Sequence, residues 1–411
     1  MKTGISKKLL ALTTAAAFVV MAACGGDDGG SSESADTTAA PAATEAPGAT
    51  EAPAATEAPA EGGFVEGCGP QSVTDPSIID PAREVARCEP GFPAPQPLAE
   101  RQKIVISSSF RLEFNSPLLL AISQGEFEKE NIEVEFINLS YSDSVPQLAS
   151  GDIDMAVGGI ELALFNAGNL DLPVRVTLGN YYPPFAGNYD EPQTGLWCRR
   201  DAFSNPDDPD LLETANVKWS SSVGKGSVSV YYSIAEIERR TGQDLDITNT
   251  VIEAIPNADA LTALQNNAVQ CAVLLDPFWL DVADDPAYFQ AASQTPGEPL
   301  GQYSFGKRLL ENRELGVAVA RAFIRSVNTY FQGDYHSDDE VMNLISTEIE
   351  RPVDALRLVP SLVMDWEVRS GTTDRVQQLF IDSGTITDFS TPVPEEKLVD
   401  RSFYLEAIGA N

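Results

Sequence analysis

From residue 103 onwards, short apolar runs alternate with segments that have the features of short helices. The run KIVIS at 103–107 is apolar and β-branched, and it predicts a buried strand. Asn115, Ser116 and Pro117 precede the apolar run LLLAI, and a polar cap followed by a proline predicts a helix start. The segment IEVEFINL at 132–139 alternates apolar and acidic residues, which predicts a strand with one solvated face. Strands that alternate with short helices indicate an α/β protein with a mostly parallel sheet covered on both faces.

Three segments carry a resemblance to a known family. They are PLLLAISQGEFEKENIEVEF (117–136), QLASGDIDMAVGG (147–159) and ALFNAGNLDLPVRV (163–176). Their order resembles the first lobe of the solute-binding proteins of ATP-binding-cassette (ABC) importers, especially the nitrate, sulfonate, taurine and thiamine-precursor group. The resemblance extends over 101–411. It implies a two-lobe, periplasmic binding protein type II-like fold, in which each lobe is a mostly parallel sheet flanked by helices.

Pro-rich interruptions at 182–195 and 296–299 set the expected domain boundaries. With the resemblance, they imply that 101–190 and 300–411 form lobe I and that 191–299 form lobe II. Two lobes joined by two crossings can close around a ligand.

The first 23 residues have the order of a secretory signal, with three early lysines, an apolar stretch at 9–21 and two alanines before Cys24. A cysteine directly after small residues resembles a bacterial lipoprotein site, although Met21 stands where that site usually has leucine. The resemblance implies that the Cys24 thiol is lipidated and anchors the protein outside the cytoplasm, on the cell membrane. The alternative is an ordinary cleaved signal with an incidental cysteine.

Residues 24–63 contain almost no apolar mass, and the motif TEAP occurs at 44–47, 50–53 and 56–59. Because such a segment cannot bury a core, we expect it to be extended and disordered. In a polyproline-like state it would reach on the order of 100 Å. It would act as a tether through a cell wall or surface layer, or as a simple stalk whose length has no specific role.

The cysteines predict disulfide chemistry. Residues 64–100 form a Pro- and Gly-rich extension with Cys68 and Cys88 near its two ends. Because an exported protein meets an oxidising compartment, we expect these two cysteines to be bonded. Cys198 and Cys271 fall on strands that the resemblance places side by side, and they are either a second disulfide or two buried thiols.

The chain is strongly acidic, with 61 Asp and Glu residues against 27 Lys and Arg and a formal net charge of −34. This charge argues against nucleic acid as a partner and against binding of anionic membranes through a basic face. It does not exclude a small anion, because a local nest of backbone N–H groups can outweigh a diffuse field.

Signatures of catalysis are missing from the sequence. No HExxH, GxSxG or phosphate-binding glycine loop occurs, and the scattered cysteines predict no zinc site. We expect no cofactor and no metal. His336 lies in the polar segment GDYHSDDE, and we expect it to be exposed and inert. One enzyme branch related to this fold makes the thiamine pyrimidine with a cysteine run and a reactive histidine, which this chain lacks.

Ligand contacts are expected where strands end at the cleft. In lobe I the candidates are Ser108, Ser109, Phe110, Gly159, Glu161 and Tyr181. Gly159 could instead serve a tight turn, and Glu161 could cap its own helix.

In lobe II the loop at 224–229 precedes a predicted helix. Its glycines let the backbone approach a ligand, and the free N–H groups of the helix would receive an oxygen. The candidates there are Gly224, Gly226, Ser227 and Ser229, with a plain capping loop as the alternative and Lys225 expected in solvent.

The segment at 276–279 resembles the family's acid-Pro-aromatic segment at the cleft. Asp276 would pair with an amine or fix the hinge, and Trp279 would stack on the ligand. Aromatic residues lie near several strand ends; some of them should pack in the core, and two or three that face the cleft would sandwich a flat ring. With Glu161 and Asp276 as acceptors, they favour a cationic or amine-bearing heterocycle over nitrate.

The sequence and the resemblance together predict a solute-binding component of an ABC importer. Its partners would be a small solute and the permease subunits, and we expect a monomer. The alternatives are the enzyme of thiamine-pyrimidine synthesis and a ligand sensor or surface protein that serves no transporter.

Overall fold

The computed structural model describes residues 63–80, 82–109, 111–184 and 192–410. The predicted signal, Cys24, nearly all of the predicted tether and the candidate Phe110 lie outside the described residues. The strands in chain order are β1 (Gln102–Ser107), β2 (Ile132–Ile137), β3 (Met155–Gly159), β4 (Arg175–Gly179), β5 (Tyr181–Tyr182), β6 (Gly195–Arg199), β7 (Trp219–Ser221), β8 (Ile252–Ala254), β9 (Cys271–Leu274), β10 (Tyr288–Ser293), β11 (Gly301–Phe305) and β12 (Val363–Met364).

Helices separate most of these strands. They are α1 (Ser116–Ser123), α2 (Tyr141–Ser150), α3 (Leu162–Asn169), α4 (Val228–Thr241), α5 (Asn257–Gln265), α6 (Leu280–Ala283), α7 (Lys307–Glu311), α8 (Arg313–Tyr330), α9 (Asp339–Ile349), α10 (Val353–Leu356), α11 (Thr372–Asp382) and α12 (Ser402–Ala407). None of the described helices is both long and apolar enough to span a bilayer.

Two five-stranded sheets share one topology. The first has the order β2-β1-β3-β11-β4 and the second the order β8-β7-β9-β6-β10. In each sheet the strand next to last is antiparallel to both neighbours, and the other neighbouring strands are parallel. The antiparallel strand of each sheet is the strand with which the chain enters that sheet: β6 enters the second sheet, and β11 returns to the first. The chain therefore crosses between the sheets twice. We use the names lobe I and lobe II for the first and second sheet with the helices packed against them.

Successive side chains along the strands point to opposite faces of each sheet and contribute to a core on both faces. In β6, Leu196 and Cys198 join a core with Trp219 and α4, whereas Trp197 points to the opposite face and packs with residues of α5. Such strands are apolar on both sides, as expected for sheets covered by helices on both faces. The mostly parallel α/β class predicted from the sequence is confirmed.

Both cysteine pairs are bonded. Cys68 is linked to Cys88, as predicted. Cys198 is linked to Cys271, which decides between the two alternatives left open by the sequence. These two residues lie opposite each other in the antiparallel pair of β6 and β9, with their Cα atoms 4.1 Å apart.

The extension before β1 packs on lobe I. Ala86, Cys88 and Leu98 are buried in the lobe I core. The backbone N–H of Cys88 donates to Asn328 Oδ1 at 3.1 Å, and Arg325 Nη1 donates to the carbonyl of Pro93 at 2.9 Å. The extension is therefore part of the lobe I surface, although it has little regular secondary structure.

Candidate ligand-binding site

A space lies between the two lobes, where β3 of lobe I and β7 and β9 of lobe II end. We call it the first chamber, and it measures about 380 Å³, counting the part that opens to solvent. Its lining residues are Phe114, Gly158, Gly159, Glu161, Tyr181, Leu300 and Gly301 from lobe I and Ser222, Ser227, Val228, Ser229, Asn257 and Leu275 from lobe II. Both lobes thus contribute polar groups to one space.

Glu161 is the acidic group of the first chamber. Its side chain is 3% exposed, and its Oε1 accepts a hydrogen bond from the Gly159 N–H at 3.3 Å. Oε2 has no hydrogen-bond partner among the described residues. Burial raises the pKa of Glu161 to about 7, because a carboxylate loses its hydration there. Although Glu161 precedes α3, its side chain does not cap that helix.

The loop at 224–229 reaches the chamber through its serines. Gly224–Gly226 form a 3-10 turn, and Ser227 then caps α4 by accepting a hydrogen bond from the Ser229 N–H at 3.3 Å. Ser227 and Ser229 line the first chamber. Lys225 points elsewhere, since its Nζ donates to the carbonyl oxygens of Ile247 and Thr248.

The two glycines of this loop have backbone roles. Gly224 has a φ of +68°, a conformation that favours glycine. A Cβ on Gly226 would lie 2.8 Å from the Cβ of Leu162, at the start of α3 in lobe I. Gly226 therefore permits close approach of the two lobes and does not itself line the chamber.

Asn257 is a chamber residue that the sequence analysis did not select. It begins α5 directly after the loop that follows β8, and it is 9% exposed. Its Nδ2 has no hydrogen-bond partner among the described residues. The side chain thus offers donor hydrogens to the same chamber in which Glu161 offers an acceptor.

An aromatic pair bounds the first chamber. The rings of Phe114 and Tyr181 are stacked, with centroids 5.0 Å apart and planes 13° from parallel. Burial raises the pKa of Tyr181, so the phenol stays neutral.

Phe114, Tyr181 and Leu275 also line a second chamber, which measures about 250 Å³ when its open part is counted. It is lined by Leu112, Glu113, Phe114, Tyr181, Thr194, Leu275, Asp276, Gln294 and Leu362.

Asp276 and Glu113 are the acids of the second chamber. Asp276 Oδ1 accepts a hydrogen bond from Trp279 Nε1 at 2.5 Å, and loss of hydration raises its pKa to about 6. Glu113 Oε1 accepts from the Tyr335 hydroxyl at 2.5 Å and lies 2.6 Å from His336 Nε2. Glu113 Oε2 has no hydrogen-bond partner among the described residues.

The expectation that His336 is exposed is wrong. Its side chain is 9% exposed and is fixed by Glu113, a residue 223 positions away in sequence. The polar sequence around His336 gives no sign of this contact.

No lysine or arginine lines either chamber among the described residues. Arg351 borders an adjoining space together with Glu113 and Asp276. Its guanidinium lies 5.4 Å from the centroid of the Phe278 ring. The cleft between the lobes is therefore acidic, with three carboxyl groups in its walls.

No family model matches the chain, and no curated protein matches it in sequence. Solved structures do match. The ligand-binding component of an ABC-type import system from Staphylococcus aureus, with zinc bound, gives a TM-score of 0.54 at 15% identity over 74% of this chain and 99% of that one. The nitrate-binding protein NrtA from Synechocystis PCC 6803 gives 0.56 at 13% identity over 76% and 89%. The alkanesulfonate-binding protein SsuA from Xanthomonas axonopodis pv. citri gives 0.50 at 13% identity over 76% and 98%.

The chain has the fold of the ABC-importer solute-binding proteins. In this solute-binding fold, both chambers lie between the lobes at the ends of strands, where open α/β sheets receive ligands. The structure brings together six of the residues selected from the sequence, namely Gly159, Glu161, Tyr181, Ser227, Ser229 and Asp276.

Five selected residues do not line either chamber. Ser108 and Ser109 follow β1, and the Ser108 hydroxyl accepts a hydrogen bond from Asn115 Nδ2 at 3.3 Å. Gly224 and Gly226 lie in the turn that precedes Ser227 and Ser229. Trp279 is 5% exposed and stacks on Trp197 in the core of lobe II, with ring centroids 6.3 Å apart. It touches the second chamber only through its hydrogen bond to Asp276.

Proposed function

We propose that this protein is the solute-binding component of an ABC importer, which captures a small solute between its lobes and delivers it to the permease. The observation that supports the proposal best is the pair of unpartnered groups in the first chamber. Glu161 Oε2 comes from lobe I and Asn257 Nδ2 from lobe II, and both are buried. A solute with a donor and an acceptor would satisfy both at once.

Closure of the lobes and binding of the solute would be coupled. A buried polar group without a partner costs about 1–3 kcal/mol, so a closed but empty cleft is unfavourable. A solute that pairs with Glu161 and Asn257 removes this cost only in the closed form, and therefore shifts the population towards it. The work of the protein is then binding and hinge closure, with no bond made or broken.

We propose that the protein is a monomer on the outer face of the cytoplasmic membrane. A lipid on Cys24 would anchor it there. Two disulfides suit a protein that is exported to an oxidising compartment. The permease subunits would be the protein partners.

Native mass spectrometry of the freshly purified full chain tests the binding role. We expect a small molecule of defined mass to co-purify with the wild type and to be depleted in Asn257→Ala. Asn266→Ala is the matched control, because Asn266 is exposed at the other end of α5. Equal occupancy in the wild type and Asn257→Ala would remove the first chamber from the site. Cells that lack this chain should also lose uptake of that molecule, and unchanged uptake would contradict the transport role.

A further inference from the structure

We propose that the second chamber binds a cationic amino group of the solute between Glu113 of lobe I and Asp276 of lobe II. This inference rests on the proposed function and specifies the class of solute. Glu113 lies in the 3-10 turn between β1 and α1, and Asp276 follows β9, so the two carboxyl groups come from opposite lobes and border the same space.

The second chamber has unmet hydrogen-bonding capacity. Glu113 is 4% exposed, Thr194 7% and Gln294 3%. Glu113 Oε2 and Gln294 Nε2 each lack a hydrogen-bond partner among the described residues, whereas the Thr194 hydroxyl is close enough to Asp276 to lower the pKa of that acid. Buried polar atoms are rarely left in this state, so the chamber is built to receive a polar group.

The charges around the chamber determine which group fits. Glu113 and Asp276 face the second chamber. His336, which is hydrogen-bonded to Glu113, can supply at most one positive charge. Arg351 borders the adjoining space but forms no ion pair with either acid among the described residues. An ammonium group donates up to three hydrogen bonds and would find acceptors in Glu113, Asp276 and Thr194. An anion would meet uncompensated negative charge.

Gln294 adds a second requirement. Its Nε2 is a donor, so the part of the solute beside it carries an acceptor oxygen or nitrogen. The preferred solute therefore has an amino group close to an acceptor atom, with the remainder of the molecule reaching past the Phe114–Tyr181 pair into the first chamber.

This arrangement also explains how a cation would drive closure. When the lobes close, the carboxyl groups of Glu113 and Asp276 approach each other and repel, and the charge of Glu113 adds to the rise in the pKa of Asp276. A cation between them reverses the sign of this interaction. The solute thus gains its differential affinity for the closed form from two groups that belong to different lobes.

Thermal shift measurements with pairs of compounds that differ in one amino group test the inference. The probes are taurine against ethanesulfonate, β-alanine against propionate and an aminomethylpyrimidine against the methylpyrimidine, with nitrate as a bare anion. We expect at least one amine to raise the melting temperature of the wild type and its partner compound to have no effect. Titration calorimetry with that amine should show binding about tenfold to hundredfold weaker in Asp276→Asn, as for loss of a charged hydrogen bond.

Two further variants complete the experiment. Glu113→Gln should weaken binding of the same amine in the same range, and Asp276→Asn covers the case in which Glu113→Gln disturbs Tyr335 and His336. Asp281→Asn removes an equal charge from an exposed position five residues away and should change affinity by less than about twofold.

The outcomes separate the inference from the proposed function. If ethanesulfonate, propionate or nitrate stabilises the wild type and no amine does, the cation site is refuted and the importer role stands. If an amine binds Asp276→Asn and Glu113→Gln as tightly as the wild type, the placement in the second chamber is refuted. If no compound of either charge binds, the result counts against both.

Discussion

Replacing Glu161 by glutamine is expected to stabilise the ligand-free protein at neutral and alkaline pH. The carboxylate is 3% exposed, accepts one hydrogen bond from the Gly159 N–H and leaves Oε2 without a partner among the described residues. Burial raises its pKa from the ordinary 4.5 to about 7. Glutamine retains the shape of the side chain and removes the charge that is costly to bury.

The sign and size of the effect follow from this pKa. The folded protein binds the Glu161 proton more tightly than the unfolded chain, so the free energy of unfolding falls as the pH rises from about 4.5 to 7. The cost is less than about 1 kcal/mol at pH 5 and reaches about 3 kcal/mol at pH 8. Because any water that enters the chamber would hydrate part of the carboxylate, about 3 kcal/mol is an upper limit to the gain from Glu161→Gln.

Urea unfolding of the ligand-free full chain, followed by tryptophan fluorescence at pH 5 and pH 8, measures the effect. Glu161→Gln should shift the unfolding midpoint upwards much more at pH 8 than at pH 5. Glu128→Gln is the matched control, because Glu128 is exposed and its substitution should leave both midpoints unchanged. A gain of equal size at both pH values, or no gain at pH 8, would refute the argument that Glu161 is held ionised in a poorly hydrated chamber.

Three further predictions address closure, anchoring and covalent structure. Gly226→Val should weaken solute binding in calorimetry, because its side chain would collide with the Cβ of Leu162 and hold the lobes apart, and adding Leu162→Gly, which removes that Cβ, should restore part of the affinity; wild-type affinity in Gly226→Val would contradict this. Cys24→Ser should release the protein from membranes on cell fractionation, and unchanged membrane association would exclude the lipid anchor. Removing the Cys68–Cys88 bond, which spans 20 residues, should cost up to about 3 kcal/mol and increase hydrogen exchange within 64–100 while leaving exchange in lobe II unchanged.

The sequence predicted those parts of the site that follow from local pattern. Ser227 and Ser229 were identifiable because a Gly- and Ser-rich turn precedes a helix, and Glu161 because it follows a buried strand. Asn257 could have been found by the same rule, since it opens α5 after the loop that follows β8. Glu113 and His336 could not, because their contact joins positions 223 residues apart, and nothing in the local sequence of either residue indicates it.

Trp279 shows the opposite error of local reasoning. Its position after β9 made it a candidate for stacking on the solute, but it packs on Trp197 in the lobe II core. A large aromatic side chain gains more from burial in a core than from a partly open cleft. Whether an aromatic residue near a strand end faces the core or the cleft depends on the packing of its neighbours, which the sequence does not specify.

The extension at 64–100 illustrates how buried charge can make a core-poor segment part of a lobe. Arg83 of the extension forms an ion pair with Asp365 at 3.2 Å, and the Thr74 N–H donates to Glu367 Oε1 at 2.9 Å. Burial and the charge of Asp365 raise the pKa of Glu367 to about 7, so these acids depend on nearby donors and cations. Detaching the extension would leave Asp365 with Arg369 as its remaining ion-pair partner among the described residues and would expose Ala86 and Cys88. Because a buried charge that loses a partner is strongly destabilising, the Arg83–Asp365 ion pair should hold the extension on lobe I even when the disulfide is reduced.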